Sequence, residues 1–113
     1  MDKNKSLNYS DYLSLKTLLN SQNPISNING KPAHDEMLFI IVHQTYELWF
    51  KQILHELNSV IEIFNKKSIA ESDISLVVSR LSRIIEIQKI LIDQIRVLET
   101  MSAMDFLEFR DDL

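Results

Sequence analysis

Glycine and proline are nearly absent from this chain of 113 residues, which has one glycine and two prolines. All three lie between Pro24 and Pro32. Hairpins and tight turns depend on these residues, and almost no segment alternates apolar with polar side chains, so little of the chain can form a β-sheet. The sequence therefore predicts an all-α fold, a long antiparallel helical bundle preceded by a short N-terminal helical arm.

The spacing of apolar residues predicts two helices before the middle of the chain. The first covers about residues 10–19, with Asn8 or Ser10 as its N-cap. A polar loop that contains the only glycine follows over residues 21–31. The second helix covers about residues 32–64, because a proline suits the first turn of a helix.

A third helix is predicted after Ser68 and Glu71, which have the spacing of a capping box. Its apolar seam repeats at alternating intervals of four and three residues, through Val77, Leu81, Ile84, Gln88, Leu91, Ile95 and Leu98. Such a seam favours antiparallel packing on the second helix through a short turn near residues 65–67. A separate parallel coiled coil is the alternative.

His43 is a titratable side chain within one of the most apolar stretches of the sequence. At about 100° per residue, Phe39, His43, Tyr46 and Phe50 share one stripe of the second helix, so His43 is predicted to face the interior. Function is best sought at this imidazole. The alternative interpretation is a core histidine whose nitrogens find backbone or side-chain partners.

Phe106 and Arg110 have the i,i+4 spacing that places two side chains on one helical face. An aromatic wall beside a guanidinium suits a small aromatic acid, because a guanidinium recognises a carboxylate through two parallel hydrogen bonds. A surface ion pair with the neighbouring acidic residues is the alternative for Arg110.

Composition excludes several classes of function. The absence of cysteine rules out disulfides and thiolate metal sites and favours a reducing compartment. A net charge of -4 without a basic patch makes nucleic acid an unexpected partner. Residues 1–6 lack the apolar core of a signal sequence, and no apolar run reaches the length of a membrane span, so we expect no membrane partner and a cytoplasmic location.

Four segments of the chain resemble tryptophan 2,3-dioxygenases in their N-terminal part. They are NYSDYL at 8–13, HDEMLFIIVHQTYELWFKQI at 34–53, LETM at 98–101 and DFLEFR at 105–110. The resemblance runs from about Leu7 to the last residue with consistent order and spacing. It implies that residues 1–113 form the N-terminal part of one helical dioxygenase domain, with an arm and loop over 1–31 and with long helices and a substrate-pocket segment over 32–113.

The resemblance also implies a reaction and roles for individual residues. The family is a haem-dependent homotetramer that adds both atoms of O₂ across the indole 2,3 bond of L-tryptophan and gives N-formylkynurenine. By position, His43 would be the catalytic residue and accept a hydrogen bond from the indole N–H. The other implied substrate-binding residues are Phe39 and Phe106 against the ring, Arg110 on the carboxylate, and Tyr9, Tyr12 and Leu13 from an arm that completes a neighbouring subunit's pocket.

Haem with ferrous iron is the cofactor that the resemblance implies, and its axial ligand is expected outside this chain. The family continues beyond the position of Leu113 through helices that carry the proximal histidine and the contacts to the substrate ammonium. None of the chain's three histidines matches that ligand, so we expect no metal ligand within this chain and no catalytic haem binding by the chain alone.

Two other interpretations of the residues stay open. In one, the chain is a non-catalytic helical module that oligomerises through its exposed apolar faces. In the other, His43 is itself an axial haem ligand between packed helices, as in four-helix cytochromes.

Overall fold

Two long antiparallel helices form the body of the protein. The computed structural model describes residues 7–113, and within them there are six helices. They are α1 (Tyr9–Tyr12), α2 (Leu15–Leu18), α3 (Ile25–Ile28), α4 (Glu36–Phe64), α5 (Glu71–Leu98) and α6 (Ala103–Arg110). The predicted all-α fold is confirmed. The six N-terminal residues, where we expected no signal sequence, lie outside the described residues.

Helices α4 and α5 pack against each other as predicted, but the seam of α5 is only partly the predicted one. Val77 and Ile84 are buried, whereas Leu81, Gln88 and Ile95 are exposed. Ile87 is buried in place of the neighbouring Gln88, because an amide buried without a partner is costly.

Polar contacts join the two helices in antiparallel register: Thr45 to Gln94 at 3.5 Å, the Tyr46 hydroxyl to the Leu91 carbonyl, and Glu56 to Arg83 at 2.8 Å. In the turn between the helices, Lys66 contacts Asp73 of α5 at 2.8 Å. Near the turn, Val60, Ile63 and Val77 form a buried apolar cluster. The interface between α4 and α5 therefore combines apolar packing with polar contacts.

The face of α4 that meets α5 differs from the predicted one. The residues buried along it include Val42, Glu56, Val60 and Ile63, whereas His43 is exposed in this chain. The prediction that His43 faces the interior of the bundle is thus wrong. The buried face of α4 is displaced from the predicted face by about one residue, or roughly 100° of helix rotation. The cause is that the interface contains polar side chains, such as Glu56, which a count of apolar residues assigns to the solvent side.

Helix α4 begins at Glu36, four residues later than the predicted start at Pro32. The Glu36 side chain is 1% exposed and accepts hydrogen bonds from the Ile25 and Ser26 backbone N–H groups at 2.8 and 2.9 Å and from the Ser26 hydroxyl at 2.5 Å. The Ser26 hydroxyl in turn accepts from the Ala33 N–H at 3.0 Å. These hydrogen bonds, which we call the Glu36 anchor, hold the residues before Glu36 in a loop. Those residues therefore do not continue the helix.

Burial and hydrogen bonding act in opposite directions on the Glu36 carboxyl. Burial alone would raise its pKa, but the hydrogen bonds from Ser26 and Ile25 outweigh burial and hold the pKa below its ordinary value. The folded chain therefore favours the ionised form of Glu36 over the protonated form.

The N-terminal arm is helical but broken. The predicted helix over residues 10–19 is divided into α1 and α2 at Ser14, whose φ of 53° is in the left-handed region that favours glycine. Asn8 caps α1 as predicted, since its side-chain oxygen accepts from the Asp11 N–H at 2.8 Å. The following loop contains α3, and its Gly30 adopts a φ of 74°.

Helix α5 begins at Glu71 rather than after a Ser68 capping box. Ala70 is its N-cap, and the Asp73 carboxylate accepts from the Ala70 N–H at 2.9 Å. None of the helices described over residues 7–113 has the length and apolarity that a membrane crossing requires.

The Glu36 anchor predicts a specific pH dependence of stability. A folded-state pKa below 4.5 means that the carboxylate stabilises the fold at pH values above 4.5, and that this stabilisation is lost as the pH falls through the folded-state pKa. Glu36→Gln should lower the free energy of unfolding at pH 7 by about 1–3 kcal/mol and flatten its dependence on pH in the acidic range below 4.5. Denaturant unfolding at a series of pH values measures both effects.

Glu62→Gln is the matched control, because Glu62 is an exposed glutamate on the same helix. It should leave the pH dependence of the wild-type chain unchanged. Equal slopes for Glu36→Gln and wild type would contradict the role of the anchor.

Candidate functional site

An open pocket lies where α4, the end of α5 and α6 meet. Its volume is about 520 Å³, within the range of about 300–1,000 Å³ that is common for small-molecule sites. The lining residues are Phe39, His43, Leu98, Met101, Ser102, Ala103 and Phe106. The structure therefore brings together three of the predicted site residues, Phe39 and His43 from α4 and Phe106 from α6.

Helix α6 is held at this pocket by its first turn and by one buried ring. Ser102 and Asp105 form a capping box, in which Ser102 Oγ accepts from the Asp105 N–H at 3.1 Å and the Asp105 carboxylate accepts from the Ser102 N–H at 3.3 Å. Hydrogen bonds from the Ser102 side chain and backbone hold the pKa of Asp105 below its ordinary value. Phe109, 1% exposed, packs edge-on against Phe39 and Phe106, with centroid distances of 5.4 and 5.5 Å.

The aromatic rings form a continuous wall beside the imidazole. The ring centroids of Phe39 and His43 are 4.2 Å apart, and those of Phe39 and Phe106 are 6.0 Å apart. Both distances lie in or near the range in which aromatic pairs attract each other, about 4.5–7 Å. Because Phe109 supports Phe39 and Phe106 from behind, the wall has a fixed shape against which a flat ligand ring can pack.

The orientation of His43 determines which ring nitrogen can meet a ligand. Its Nδ1 lies 2.7 Å from the backbone carbonyl oxygen of Phe39. A carbonyl oxygen only accepts hydrogen bonds, so Nδ1 carries a proton and donates. In the neutral imidazole Nε2 then holds the free lone pair. The pocket therefore combines an apolar aromatic wall with one hydrogen-bond acceptor.

Arg110 lies on α6 one turn beyond Phe106, as the i,i+4 spacing predicts. It is not among the residues that line the pocket. Its guanidinium is 3.4 Å from the Asp111 carboxylate, and its side chain is about half exposed. This contact is the surface ion pair expected under the alternative interpretation, and it is a weak one, because exposed pairs contribute about 0–1 kcal/mol. The guanidinium is thus available to another carboxylate.

The three arm residues lie away from the pocket within this chain. Tyr9 and Tyr12 are 75% and 73% exposed, and Leu13 is exposed as well. None of them lines the pocket next to His43. If they contribute to such a pocket, it belongs to another copy of the chain.

Two features of the site are not predicted by the sequence patterns. Phe109 is the buried ring that positions both pocket phenylalanines, but its contact with Phe39 joins α6 to α4 and leaves no local sequence signal. The capping box at Ser102 and Asp105 has an aspartate in place of the more usual glutamate or glutamine at its third position. The Ser-x-x-Asp spacing before an aromatic helix is the signal that would have found it.

Over residues 7–113 no group of three or more histidine, aspartate or glutamate side chains is arranged to hold a metal ion. The lining of the pocket suits an organic ligand. Phe39, Phe106, Leu98 and Met101 offer the apolar surface on which planar rings pack.

Comparison with known proteins gives a consistent result. A family model described as Tryptophan 2,3-dioxygenase matches residues 1–113. Among curated relatives, proteins named tryptophan 2,3-dioxygenase are 60% identical over 107 residues in Bdellovibrio bacteriovorus, 55% over 105 residues in Alteromonas mediterranea, and 54% over 107 residues in Dictyostelium discoideum. These matches cover 95%, 93% and 95% of this chain but 30%, 29% and 27% of the relatives. The chain thus spans less than a third of the length of these relatives.

The contact between His43 and the Phe39 carbonyl predicts the tautomer of the imidazole. At about pH 9, above the range in which histidine side chains usually titrate, Nδ1 should be protonated and Nε2 bare. Long-range ¹⁵N–¹H correlation spectra distinguish the two nitrogens by their chemical shifts. The exposed His55 on the same helix provides the reference for an imidazole in solvent. A spectrum in which Nε2 of His43 carries the proton would contradict this account of the site.

Proposed function

The chain belongs to the tryptophan 2,3-dioxygenase family, and on that premise we propose that it supplies the substrate-recognition part of a haem-dependent dioxygenase. The proposed substrates are L-tryptophan and O₂, and the product is N-formylkynurenine, formed by opening the indole ring in the kynurenine pathway. The observation that carries the proposal is the bare Nε2 acceptor of His43 beside the Phe39 and Phe106 rings.

Indole matches this pocket in two respects. It is a flat aromatic ring system, which packs on the Phe39 and Phe106 wall, and its N–H donates one hydrogen bond without accepting any. His43 Nε2 accepts that bond in the neutral tautomer set by the Phe39 carbonyl. His43 therefore orients the indole ring, and a misoriented substrate would react poorly.

Arg110 is proposed to bind the carboxylate of the substrate. It lies one helical turn from Phe106, and side chains at i,i+4 have Cβ atoms roughly 5–6 Å apart. A ligand whose ring packs on Phe106 thus carries its acid group toward the guanidinium. To bind it, Arg110 would exchange the weak contact to Asp111 for two parallel bonds to the substrate.

Tyr9, Tyr12 and Leu13 are proposed to complete the pocket of a neighbouring subunit. Their exposure in one chain supports this role, because the free energy falls when a partner covers large apolar side chains that would otherwise face water. The open side of the pocket is where such cover would exclude water. The homotetramer and the cytoplasmic location expected from the sequence stay predictions.

Haem would be held in part by the apolar residues of this pocket, and the protein ligand of its iron is expected outside this chain. When bound, the haem supplies the ferrous iron that activates O₂. The residues of this chain bind and orient the substrate and exclude water. Leu98, Met101 and the phenylalanines provide an apolar surface of the kind a macrocycle requires.

A chimeric enzyme tests the proposed function directly. Residues 1–113 would replace the matching segment of the Bdellovibrio bacteriovorus relative, which is 60% identical over the aligned region. We expect the chimera to bind haem, seen as a Soret band, and to convert L-tryptophan to N-formylkynurenine. A folded, haem-loaded chimera without this activity would contradict the proposal.

The chain alone is the second sample to be measured in this experiment. We expect it to bind no haem in the catalytic manner. Strong binding that His43→Ala abolishes would instead favour the cytochrome-like alternative. Oligomerisation of the chain, with an inactive chimera, would favour the non-catalytic module.

The role of His43 gives a separate prediction. In the haem-loaded chimera, His43→Ala should lower kcat/KM for L-tryptophan by about tenfold or more, since one hydrogen bond that orients the reacting ring is lost. Haem content should stay near that of the unsubstituted chimera, because the residue is proposed to meet substrate rather than iron. His55→Ala, on the exposed side of the same helix, is the control and should change neither quantity. Loss of haem in His43→Ala would contradict the assignment.

A further inference from the structure

The N-terminal arm contacts α4 through the side-chain amides of Gln22 and Gln44, next to His43 and ahead of the Glu36 anchor in the sequence. Gln44 Oε1 accepts a hydrogen bond from Gln22 Nε2 at 2.8 Å, and Gln44 Nε2 donates to the Ser21 backbone carbonyl at 3.1 Å. The orientation of the amide is determined by these partners, because a flipped amide would place two acceptors against each other at Ser21. We call this set of contacts the arm latch.

The arm latch reaches the last turn of α2 through a second layer of hydrogen bonds. Gln22 Nε2 also donates to the Leu18 carbonyl at 3.0 Å, and the Ser21 hydroxyl donates to the same carbonyl at 2.7 Å. The carbonyls at the end of a helix lack partners within the helix, so these bonds are the ones that fix its end. The latch thus sets both the place and the direction in which the arm leaves α4.

Apolar packing alone does not fix that direction. A pocket of about 310 Å³ lies between the arm and α4, lined by Leu18, Leu19, Gln22, Ile41, Gln44, Thr45 and Leu48. Leu18 and Leu19 stay 38% and 65% exposed beside this space, and loosely packed apolar side chains tolerate several relative orientations. Directional hydrogen bonds from the Gln44 amide then favour one orientation of the arm, while the Glu36 anchor holds the loop that follows it.

We propose that Gln44 is a positioning residue for the substrate pocket of a neighbouring subunit. Through the arm latch it directs Tyr9, Tyr12 and Leu13 of its own chain to the open side of another copy's pocket. This inference rests on the proposed function. Gln44 is not among the residues that line the pocket of Phe39 and Phe106, whereas the preceding residue, His43, lines that pocket in its own chain. One turn of α4 thus contributes to two substrate pockets. His43 lines the pocket of its own chain, and Gln44 positions the arm at the pocket of a neighbouring copy.

Gln44→Met tests the latch, since methionine keeps the length and shape of the side chain and removes both hydrogen bonds. In the haem-loaded chimera we expect the KM for L-tryptophan to rise by about fivefold with a smaller change in kcat, because each net hydrogen bond is worth a few-fold in an equilibrium. Gln22→Met should have a similar effect, and the double variant should be no worse than Gln44→Met, because the two residues act as one unit. Gln88→Met, on the exposed face of α5, is the matched control and should leave KM unchanged.

Mixed oligomers separate the proposed action on a neighbour from a local effect on His43. Subunits with Gln44→Met have intact pockets and misdirected arms, whereas subunits with His43→Ala have intact arms and impaired pockets. When the two are assembled together, the His43→Ala arms should complete the Gln44→Met pockets and return their KM to near the wild-type value. A KM that stays raised in the mixed oligomers would show an effect within the subunit and overturn the proposal.

The activity of the unsubstituted chimera distinguishes a failure of the proposed function from a failure of the arm latch alone. An unsubstituted chimera that does not oxidise L-tryptophan would contradict the proposed function and the latch with it. An active chimera in which Gln44→Met leaves KM unchanged would contradict the latch alone. If Gln44→Met fails to assemble, Gln22→Met provides the same test from the arm side of the latch.

Discussion

The rotation of α4 against α5 is the constraint on which the site depends. Polar contacts at Thr45, Tyr46 and Glu56 fix that rotation, because each of them reaches one particular partner on α5. With this face of α4 committed to α5, Phe39 and His43 point toward α6 and solvent. The same contacts that join the helices therefore create an open pocket beside them. Hydrogen bonds from Arg83 and Gln52 also hold the pKa of the Glu56 carboxyl below its ordinary value, so Glu56 takes part in the interface as an anion.

Much of the fold follows from the sequence, because long apolar repeats without glycine or proline leave few alternatives to helices. The end of α4 at Phe64 and the antiparallel pairing with α5 agree with the prediction. The rotation of α4 was predicted incorrectly, since periodicity counts only apolar residues and a polar interface residue such as Glu56 is satisfied by a partner far away in sequence. The start of α4 was misplaced for the same reason. Nothing in the local sequence shows that Glu36 is bound by Ser26 from the preceding loop.

The candidate site, like the fold, is only partly predictable from the sequence. His43, Phe39 and Phe106 were singled out from residue chemistry and family resemblance, and the structure brings them to one pocket. The role of Phe109 in supporting the Phe39 and Phe106 rings is not predicted, because it becomes evident only when α6 is packed against α4. The prediction of an inward-facing imidazole was wrong for the isolated chain, yet an outward position suits a group that meets a ligand. Arg110 and the arm residues stay predictions, because their proposed partners are a substrate and a second copy.

In the proposed complex the indole N–H donates to His43 Nε2 while the acid group of the substrate meets Arg110. A crystal structure of the chimera with haem and L-tryptophan would show both contacts. We expect an indole nitrogen within about 2.7–3.2 Å of His43 Nε2, the ring against Phe39 and Phe106, and the carboxylate on the Arg110 guanidinium. A substrate bound in the pocket with its indole nitrogen turned away from His43, or with its carboxylate held by other groups, would contradict it.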